Sequence, residues 1–79
     1  MLTAFVMINT ESGSEKEVLD AIRKVDAVKE SYMLYGVYDI VAKISANIMD
    51  ELQEIVTLNV RTLDKVRATL TMIVIEEKK

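Results

Sequence analysis

The chain has 79 residues and a formal net charge of −3, and 51% of its residues are hydrophobic. It contains no cysteine, which excludes disulfides and thiolate metal sites, and no histidine, which removes the commonest metal ligand and general base. A chain of this length forms one domain, residues 1–79, with a marginal core, so we expect oligomerisation to bury additional apolar surface.

The distribution of charge and hydrophobicity also limits the partners of the chain. The 10 basic and 13 acidic residues are scattered, whereas a nucleic-acid-binding surface would need a clustered basic patch. No apolar run approaches the ~20 residues that span a membrane, and the apolar residues 2–8 lack the basic flank of a signal peptide. We therefore expect a cytoplasmic protein that binds neither nucleic acid nor membrane and holds no metal or cofactor.

The first third of the chain predicts a strand and a helix. Residues 2–9 are apolar on both alternating faces, which indicates a strand that is covered on both sides. Ser14 and Glu17 have the spacing of a capping box, in which each side chain binds the other residue's backbone amide. Apolar residues at helical spacing then continue from Val18 to Val25.

The rest of the chain predicts two strands around a turn, followed by a helix and a last strand. The two strands are expected at residues 27–34 and 38–45, where side chains of different character alternate. Asn47 is a candidate N-cap, and the apolar stripe after it predicts a helix over residues 48–63. Residues 65–75 predict the fourth strand.

The resulting βαββαβ order is reinforced by a short repeat within the sequence. Residues 25–31 and 63–69 share the pattern apolar, Asp, any residue, Val, basic, any residue, hydroxyl, and each segment joins a predicted helix to the next strand. We therefore predict an α+β fold of the ferredoxin-like class. Right-handed crossovers then place both helices on one face of a four-stranded antiparallel sheet.

The second face of the predicted sheet combines apolar and polar side chains. Burying its apolar surface against a second copy of the chain would form a two-fold dimer. The polar groups there would then need water, the partner chain or a polar ligand as hydrogen-bond partners. The residues expected on this face are Phe5, Met7, Ser31, Met33, Asp39, Val41, Thr69, Thr71 and Ile73.

The turn between the second and third strands has the most distinctive chemistry. Tyr35-Gly36-Val37-Tyr38-Asp39 places two aromatic rings and a carboxylate around one of only 2 glycines. A glycine between two strands indicates a tight hairpin that needs φ > 0. Two interpretations are open: the residues simply form and pack the turn, or they bind a ligand.

Two segments carry recognisable motifs: residues 35–40 are Tyr-Gly-Val-Tyr-Asp-Ile, and residues 66–71 are Val-Arg-Ala-Thr-Leu-Thr. The first is similar to the Gly-x-aromatic-Asp turn, and the second to the Val-x-x-Thr-x-Thr segment, of the effector-binding (RAM) domain of Lrp/AsnC transcriptional regulators. The resemblance covers essentially the whole chain. Residues 64–66 depart from the family's Pro-Gly-Val, and the family's helix-turn-helix domain is missing, so the resemblance implies a stand-alone module that does not itself bind an operator.

The resemblance implies both an assembly and a ligand. Members of the family form dimers through facing sheets and often rings, commonly octamers made of four dimers. Small effectors, typically amino acids, bind between dimers near the turn. Mixed assembly with full-length Lrp/AsnC regulators would pass the signal on. The implied ligand-binding residues are Met33, Tyr35, Gly36, Val37, Tyr38, Asp39, Thr69 and Thr71.

These residue types suit an amino acid ligand. Backbone amides at the Gly36 turn can bind a carboxylate, and Asp39 can accept a charge-assisted hydrogen bond from an ammonium group. The hydroxyls of Thr69 and Thr71 can donate or accept, although threonine is also a common strand residue at a dimer interface. Met33 can adapt its shape to an apolar side chain.

Two other functions compete with this one. A small dimeric α+β-barrel enzyme would have to use Asp39, Glu30, Lys43 or a tyrosine for acid–base chemistry. No nucleophile–base pair is spaced for that purpose, so no catalytic residue is predicted. A purely structural oligomer would hold only water in the proposed site.

Overall fold

The computed structural model describes residues 1–75. It confirms the predicted α+β class and the βαββαβ order. Both helices end earlier than the apolar pattern suggested, because Val25 and Leu63 accept turn hydrogen bonds from Val28 (3.0 Å) and Val66 (3.1 Å). The elements are β1 (Leu2–Thr10), α1 (Glu15–Arg23), β2 (Val28–Met33), β3 (Ile40–Ala46), α2 (Met49–Asn59) and β4 (Val66–Ile73).

The strands form one antiparallel sheet in the order β2-β3-β1-β4, so β1 and β3 are central and β2 and β4 are edges. Helix α1 packs against β2 and β3, and α2 packs against β3. Both helices lie on the same face of the sheet, because their buried residues join alternate residues of β1 and β3 in a single core. Within residues 1–75, neither helix is long and apolar enough to cross a membrane.

The core lies between the helical layer and the sheet. Fully burying one aliphatic side chain contributes roughly 1.5–3 kcal/mol, so the central strands and the inner helix faces dominate the stability. The buried core residues are Ala4, Val6 and Ile8 on β1, Ile40, Ala42, Ile44 and Ala46 on β3, and Val18, Leu19, Ile22, Leu52, Val56 and Val60 in the helical layer.

The predicted helix caps are only partly correct. Ser14 is the N-cap of α1, but its φ of −105° and ψ of 9° are not extended, and its side chain makes no capping hydrogen bond. The N-cap of α2 is Ile48 rather than Asn47, because Ile48 has the extended backbone that this position needs. Asn47 instead donates its backbone N–H to the Glu51 carboxylate at 2.8 Å.

The faces of the two edge strands differ from the prediction. On β4, Thr69, Thr71 and Ile73 lie opposite Ile8, Val6 and Ala4, which point to the helices. On β2, Ser31 and Met33 lie opposite Ala42 and Ile40, so they also point to the helix side. The prediction that these five residues share a face with Phe5 and Met7 is therefore wrong.

The error has a physical origin in strand pairing. A shift of one residue moves every side chain of a strand to the other face. In β4 both sets of alternate residues contain apolar side chains, so the pattern alone does not fix the phase. In β2 the register shifts between Val28 and Glu30, and such a bulge reverses the alternation. Asp39 lies just before β3 rather than on a sheet face.

The face of the sheet away from the helices, called the open face here, is nevertheless strongly apolar. One row across it runs Tyr32, Val41, Met7, Leu70, and the next runs Glu30, Lys43, Phe5, Met72. Phe5, Tyr32, Leu70 and Met72 are 37%, 55%, 45% and 45% exposed in the single chain. Exposed apolar patches of this kind usually mark interaction surfaces.

Candidate functional site

The predicted turn is a longer loop, residues 34–39, between the ends of β2 and β3. The Leu34 N–H donates to the Asp39 carbonyl at 2.7 Å and closes the loop at its base. Gly36 does not have positive φ, and Gly13 is the one glycine that does, at 86°. The prediction of a left-handed Gly36 is wrong because two-residue hairpin turns require φ > 0, whereas a longer loop distributes the reversal over more residues.

The tip of this loop projects into solvent. The side chains of Tyr35 and Val37 are almost fully exposed, and Met33 at the base is half exposed. A Cβ atom added to Gly36 would meet no heavy atom within 4 Å. Tyr38 and Asp39 are partly buried. The single chain therefore offers an exposed apolar tip and a more enclosed base.

Asp39 attaches the base of the loop to the end of β1. Its Oδ2 atom accepts a hydrogen bond of 2.9 Å from the Thr10 N–H and lies 3.5 Å from the Thr10 hydroxyl. Its own N–H donates to the Ile8 carbonyl at 3.0 Å. One carboxylate oxygen is thus already used by the fold.

Thr69 and Thr71 lie in a different place. Both line a groove of about 930 Å³ between α2 and β4, on the helix side of the sheet. The groove is open because α2 packs mainly on β3 and makes little contact with β4. Its lining residues are Met49, Leu52, Gln53, Val56, Thr57, Arg61, Val66, Arg67, Ala68, Thr69, Thr71 and Ile73.

Sequence reasoning missed this groove because it assigned both threonines to the opposite face. The repeat in the sequence aligns Ser31 with Thr69, and both hydroxyls lie on the helix side of their strands. The alignment shows that the two residues share a face, but it does not indicate which face that is.

One chain does not bring the two groups of predicted ligand-binding residues together. Met33, Ile40, Ile8 and Thr69 occupy one row across the sheet, from one edge to the other. Three steps between strands of about 4.8 Å each separate the ends of this row by roughly 14 Å. The loop and the threonines therefore lie at opposite edges of the same end of the sheet.

The polar groups of the open face form a small cluster of their own. The Tyr32 hydroxyl donates to Glu30 Oε1 at 2.8 Å, and Lys43 Nζ lies 3.7 Å from Glu30 Oε2. The hydrogen bond to the Glu30 carboxylate, together with its negative charge and slight desolvation, raises the pKa of Tyr32 above its usual value. These side chains therefore partner one another on the open face.

The fold and these surfaces define a ferredoxin-like α+β domain with an open apolar face, an exposed loop and a polar groove. A family model described as "Lrp/AsnC ligand binding domain" matches residues 3–79. The chain therefore belongs to the family of Lrp/AsnC ligand-binding domains, which are the regulatory domains of transcriptional regulators.

Individual relatives agree with this assignment. An uncharacterised helix-turn-helix-type transcriptional regulator of Pyrococcus furiosus is 35% identical over 74 residues, which cover 90% of this chain and 49% of the regulator. The chain thus spans about half the length of the curated relative that it matches. The crystal structure of FFRP-DM1 has a TM-score of 0.91 at 35% identity and covers 95% of this chain and 100% of its own.

A more distant structure shares the fold. The transcriptional regulator from Neisseria meningitidis that was crystallised as a complex with L-Met has a TM-score of 0.88. The match covers 99% of this chain and 52% of that one, at 20% identity. At this identity the likeness establishes the common fold alone.

Proposed function

We propose that this chain is a one-domain regulatory module of the cytoplasm that binds an amino acid or a similar small effector between subunits. The observation that carries the proposal is the separation of the two family motifs. The loop of residues 34–39 and the pair Thr69 and Thr71 lie at opposite edges of one sheet. Because one chain cannot close a small ligand between them, a site that uses both requires a second subunit.

The assembly follows from the apolar surfaces. The open face pairs with the open face of a second copy, which buries Phe5, Leu70 and Met72 in a two-fold dimer. The exposed side chains of Tyr35 and Val37 then make contacts between dimers. A closed ring of four dimers, an octamer, satisfies both kinds of contact.

The ligand chemistry follows from the loop. Its backbone amides around Gly36 bind the ligand carboxylate, and the free Oδ1 of Asp39 accepts from the ammonium group. Thr69 and Thr71 of an adjacent subunit add hydroxyls, while Met33, Tyr35, Val37 and Tyr38 surround the ligand side chain. The L-Met complex of the distant Neisseria regulator supports amino acids as the ligand class.

Binding at a seam between subunits converts ligand concentration into assembly state. At a free ligand concentration of about 100 times the dissociation constant, the assembled form gains roughly 2.7 kcal/mol per site. Such a shift can control mixed assembly with full-length Lrp/AsnC regulators, which would carry the signal to DNA.

Isothermal titration with a panel of the protein amino acids tests the proposal, combined with sedimentation velocity with and without each compound. The expected result is heat of binding from a subset of amino acids and a ligand-dependent change in sedimentation. If no amino acid gives heat and none changes the sedimentation, the sensor function is excluded.

A purely structural oligomer is the second candidate, and the position of Asp39 favours it. The carboxylate has a complete structural reason for its presence because it binds the buried end of β1. In that case sedimentation shows the oligomer, and no amino acid alters it. The regulatory character of the family favours both candidates over a small dimeric α+β-barrel enzyme.

A further inference from the structure

The sequence repeat is longer than the segment between helix and strand, and it includes an arginine. Arg23 precedes Ser31 by the same number of residues as Arg61 precedes Thr69. The turns in between are also equivalent, because Val28 N–H donates to Val25 and Val66 N–H donates to Leu63. The two halves of the fold therefore place an arginine and a hydroxyl in corresponding positions.

In the first half the arginine is paired. Arg23 Nε donates to the Ser31 hydroxyl at 3.0 Å, and its Nη2 donates to the Ser31 carbonyl at 3.2 Å. Arg23 is the last residue of α1, and α1 packs directly on β2. The guanidinium thus closes the space between the helix and its edge strand.

In the second half the corresponding space is open. Arg61 lies beyond the end of α2 at Asn59, and α2 packs on β3 rather than on the edge strand β4. Over residues 1–75, no hydrogen bond joins the Arg61 side chain to Thr69. Both residues instead line the groove of about 930 Å³.

The charge of the groove is opposite to that of the chain. The protein has a net charge of −3, yet among residues 1–75 the groove is lined by two arginines and by no aspartate or glutamate. The ion pairs found in the described part of the chain involve Lys16, Lys43 and Lys65, and not Arg61 or Arg67. Arg61 and Arg67 therefore line the groove without an ion-pair partner among residues 1–75.

The remaining lining residues indicate which anion fits. Hydroxyls of Thr57, Thr69 and Thr71 add hydrogen-bond donors, whereas Met49, which is 43% exposed, and the partly buried Ile73 form an apolar wall. A planar guanidinium binds a carboxylate through two parallel hydrogen bonds. A carboxylate with a short apolar tail satisfies both sides of the groove, whereas inorganic phosphate leaves the apolar wall exposed.

We propose that the α2–β4 groove binds the carboxylate of a small organic acid, with Arg61 as its principal ligand and Thr69 as a second donor. The bound carboxylate takes the place on Arg61 that Ser31 takes on Arg23. The inference rests on the proposed function in one respect, since Thr69 and Thr71 belong both to the proposed effector site and to the groove. It moves the carboxylate end of the effector from the Gly36 amides to Arg61.

The test is an amide NMR titration of the full chain with sodium 4-methylpentanoate at constant ionic strength. Saturable shifts are expected at Arg61, Thr69 and Thr71. The neutral 4-methylpentanamide should cause none, and inorganic phosphate should bind at least about tenfold more weakly. Phosphate binding as tight as the organic acid would overturn the assignment to a carboxylate.

Two substitutions make the test specific. Arg61→Gln should raise the dissociation constant for 4-methylpentanoate about tenfold or more, since it removes the charge-assisted bonds. Arg23→Gln makes the same change of charge in the first half and should leave binding unchanged. Arg61→Lys keeps the charge but loses the paired geometry, so an intermediate loss is expected. Equal weakening by Arg61→Gln and Arg23→Gln would reduce the effect to general electrostatics and overturn the proposal.

The outcome is separable from that of the proposed function. If amino acids change the assembly of Arg61→Gln as strongly as that of the parent chain, the groove is not the carboxylate site, and the sensor function stands. If 4-methylpentanoate binds at Arg61 but no amino acid changes the assembly, the groove site stands and the sensor function fails.

Discussion

Replacing Asp39 with alanine is expected to destabilise the folded chain even when no ligand is present. Asp39 Oδ2 accepts a hydrogen bond of 2.9 Å from the backbone N–H of Thr10. Thr10 is only 7% exposed, so water cannot readily take the place of the lost carboxylate. The substitution therefore leaves a buried donor without an acceptor.

The magnitude follows from that donor. Leaving a buried hydrogen-bonding group unsatisfied costs about 1–3 kcal/mol. The Thr10 hydroxyl oxygen lies 3.5 Å from Asp39 Oδ2, a distance at which a hydrogen bond adds little. We expect a loss of about 2 kcal/mol in the free energy of unfolding, which for a domain of this size lowers Tm by roughly 8–16 °C.

Urea denaturation followed by circular dichroism measures this loss. The protein concentration must be fixed, because the stability of an oligomer depends on it. Asp26→Ala is the matched control, since Asp26 is exposed and the Lys29 ammonium binds its backbone carbonyl rather than its carboxylate. Asp39→Asn keeps an acceptor oxygen and should lose less stability than Asp39→Ala.

Equal stability of Asp39→Ala and Asp26→Ala would refute the anchoring role and would leave ligand binding as the reason for this carboxylate. The expected loss has a practical consequence. A missing ligand response in Asp39→Ala cannot then be assigned to direct contact, and substitutions elsewhere in the site become the better probes.

Three further predictions concern the loop and the open face. Gly36→Ala should leave Tm unchanged, because φ is not positive and an added Cβ meets nothing within 4 Å; under the proposed function it should abolish the amino acid response in isothermal titration. Leu70→Lys should dissociate the proposed dimer in sedimentation velocity, because it places a charge on the open face. Leu58→Lys is the matched control: it introduces the same charge at a position on α2 that is 61% exposed, and it should not change the sedimentation. Hydrogen bonding to Glu30 raises the pKa of Tyr32. The stability that this hydrogen bond contributes is therefore complete below the ordinary tyrosine pKa of about 10, and it is lost as pH rises through the raised value. Tyr32→Phe should remove that alkaline loss in a pH series of thermal melts, and an unchanged series would contradict it.

The central strands could be predicted from the sequence because the helices bury one face of each, so buried apolar residues alternate along them. Ala4, Val6 and Ile8 on β1 pack against the helices, as the alternation of residues 2–9 indicated, and β3 follows the same rule. The order of elements was equally predictable, since the repeat marks both connections from a helix to the next strand, at residues 25–31 and 63–69. These features depend on local periodicity and on the rule of right-handed crossovers.

For the edge strands, the sequence did not determine which side chains face the helices. Leu70 and Met72 have the more apolar side chains of β4, yet they point to the open face, while Thr69 and Thr71 point to the helix side. The cause is tertiary: α2 makes little contact with β4, so burial acts only weakly on the helix side of this strand. Thr69 and Thr71 were assigned to the wrong face for the same reason, whereas a turn at residues 35–39 could be predicted from its composition.

Thr10 and Glu11 connect the loop of residues 34–39 to the beginning of β4. Thr10 holds Asp39 of the loop, and Glu11 donates its N–H to the Lys65 carbonyl just before β4 at 2.8 Å. Two consecutive residues therefore act as a fixed spacer between the loop and the beginning of β4. Under the proposed function, a spacer of constant length prevents a larger effector from being accommodated by spreading the two edges of one chain. Such an effector would be accommodated by the relative placement of whole subunits, so ligand size and the geometry of the proposed ring are expected to vary together.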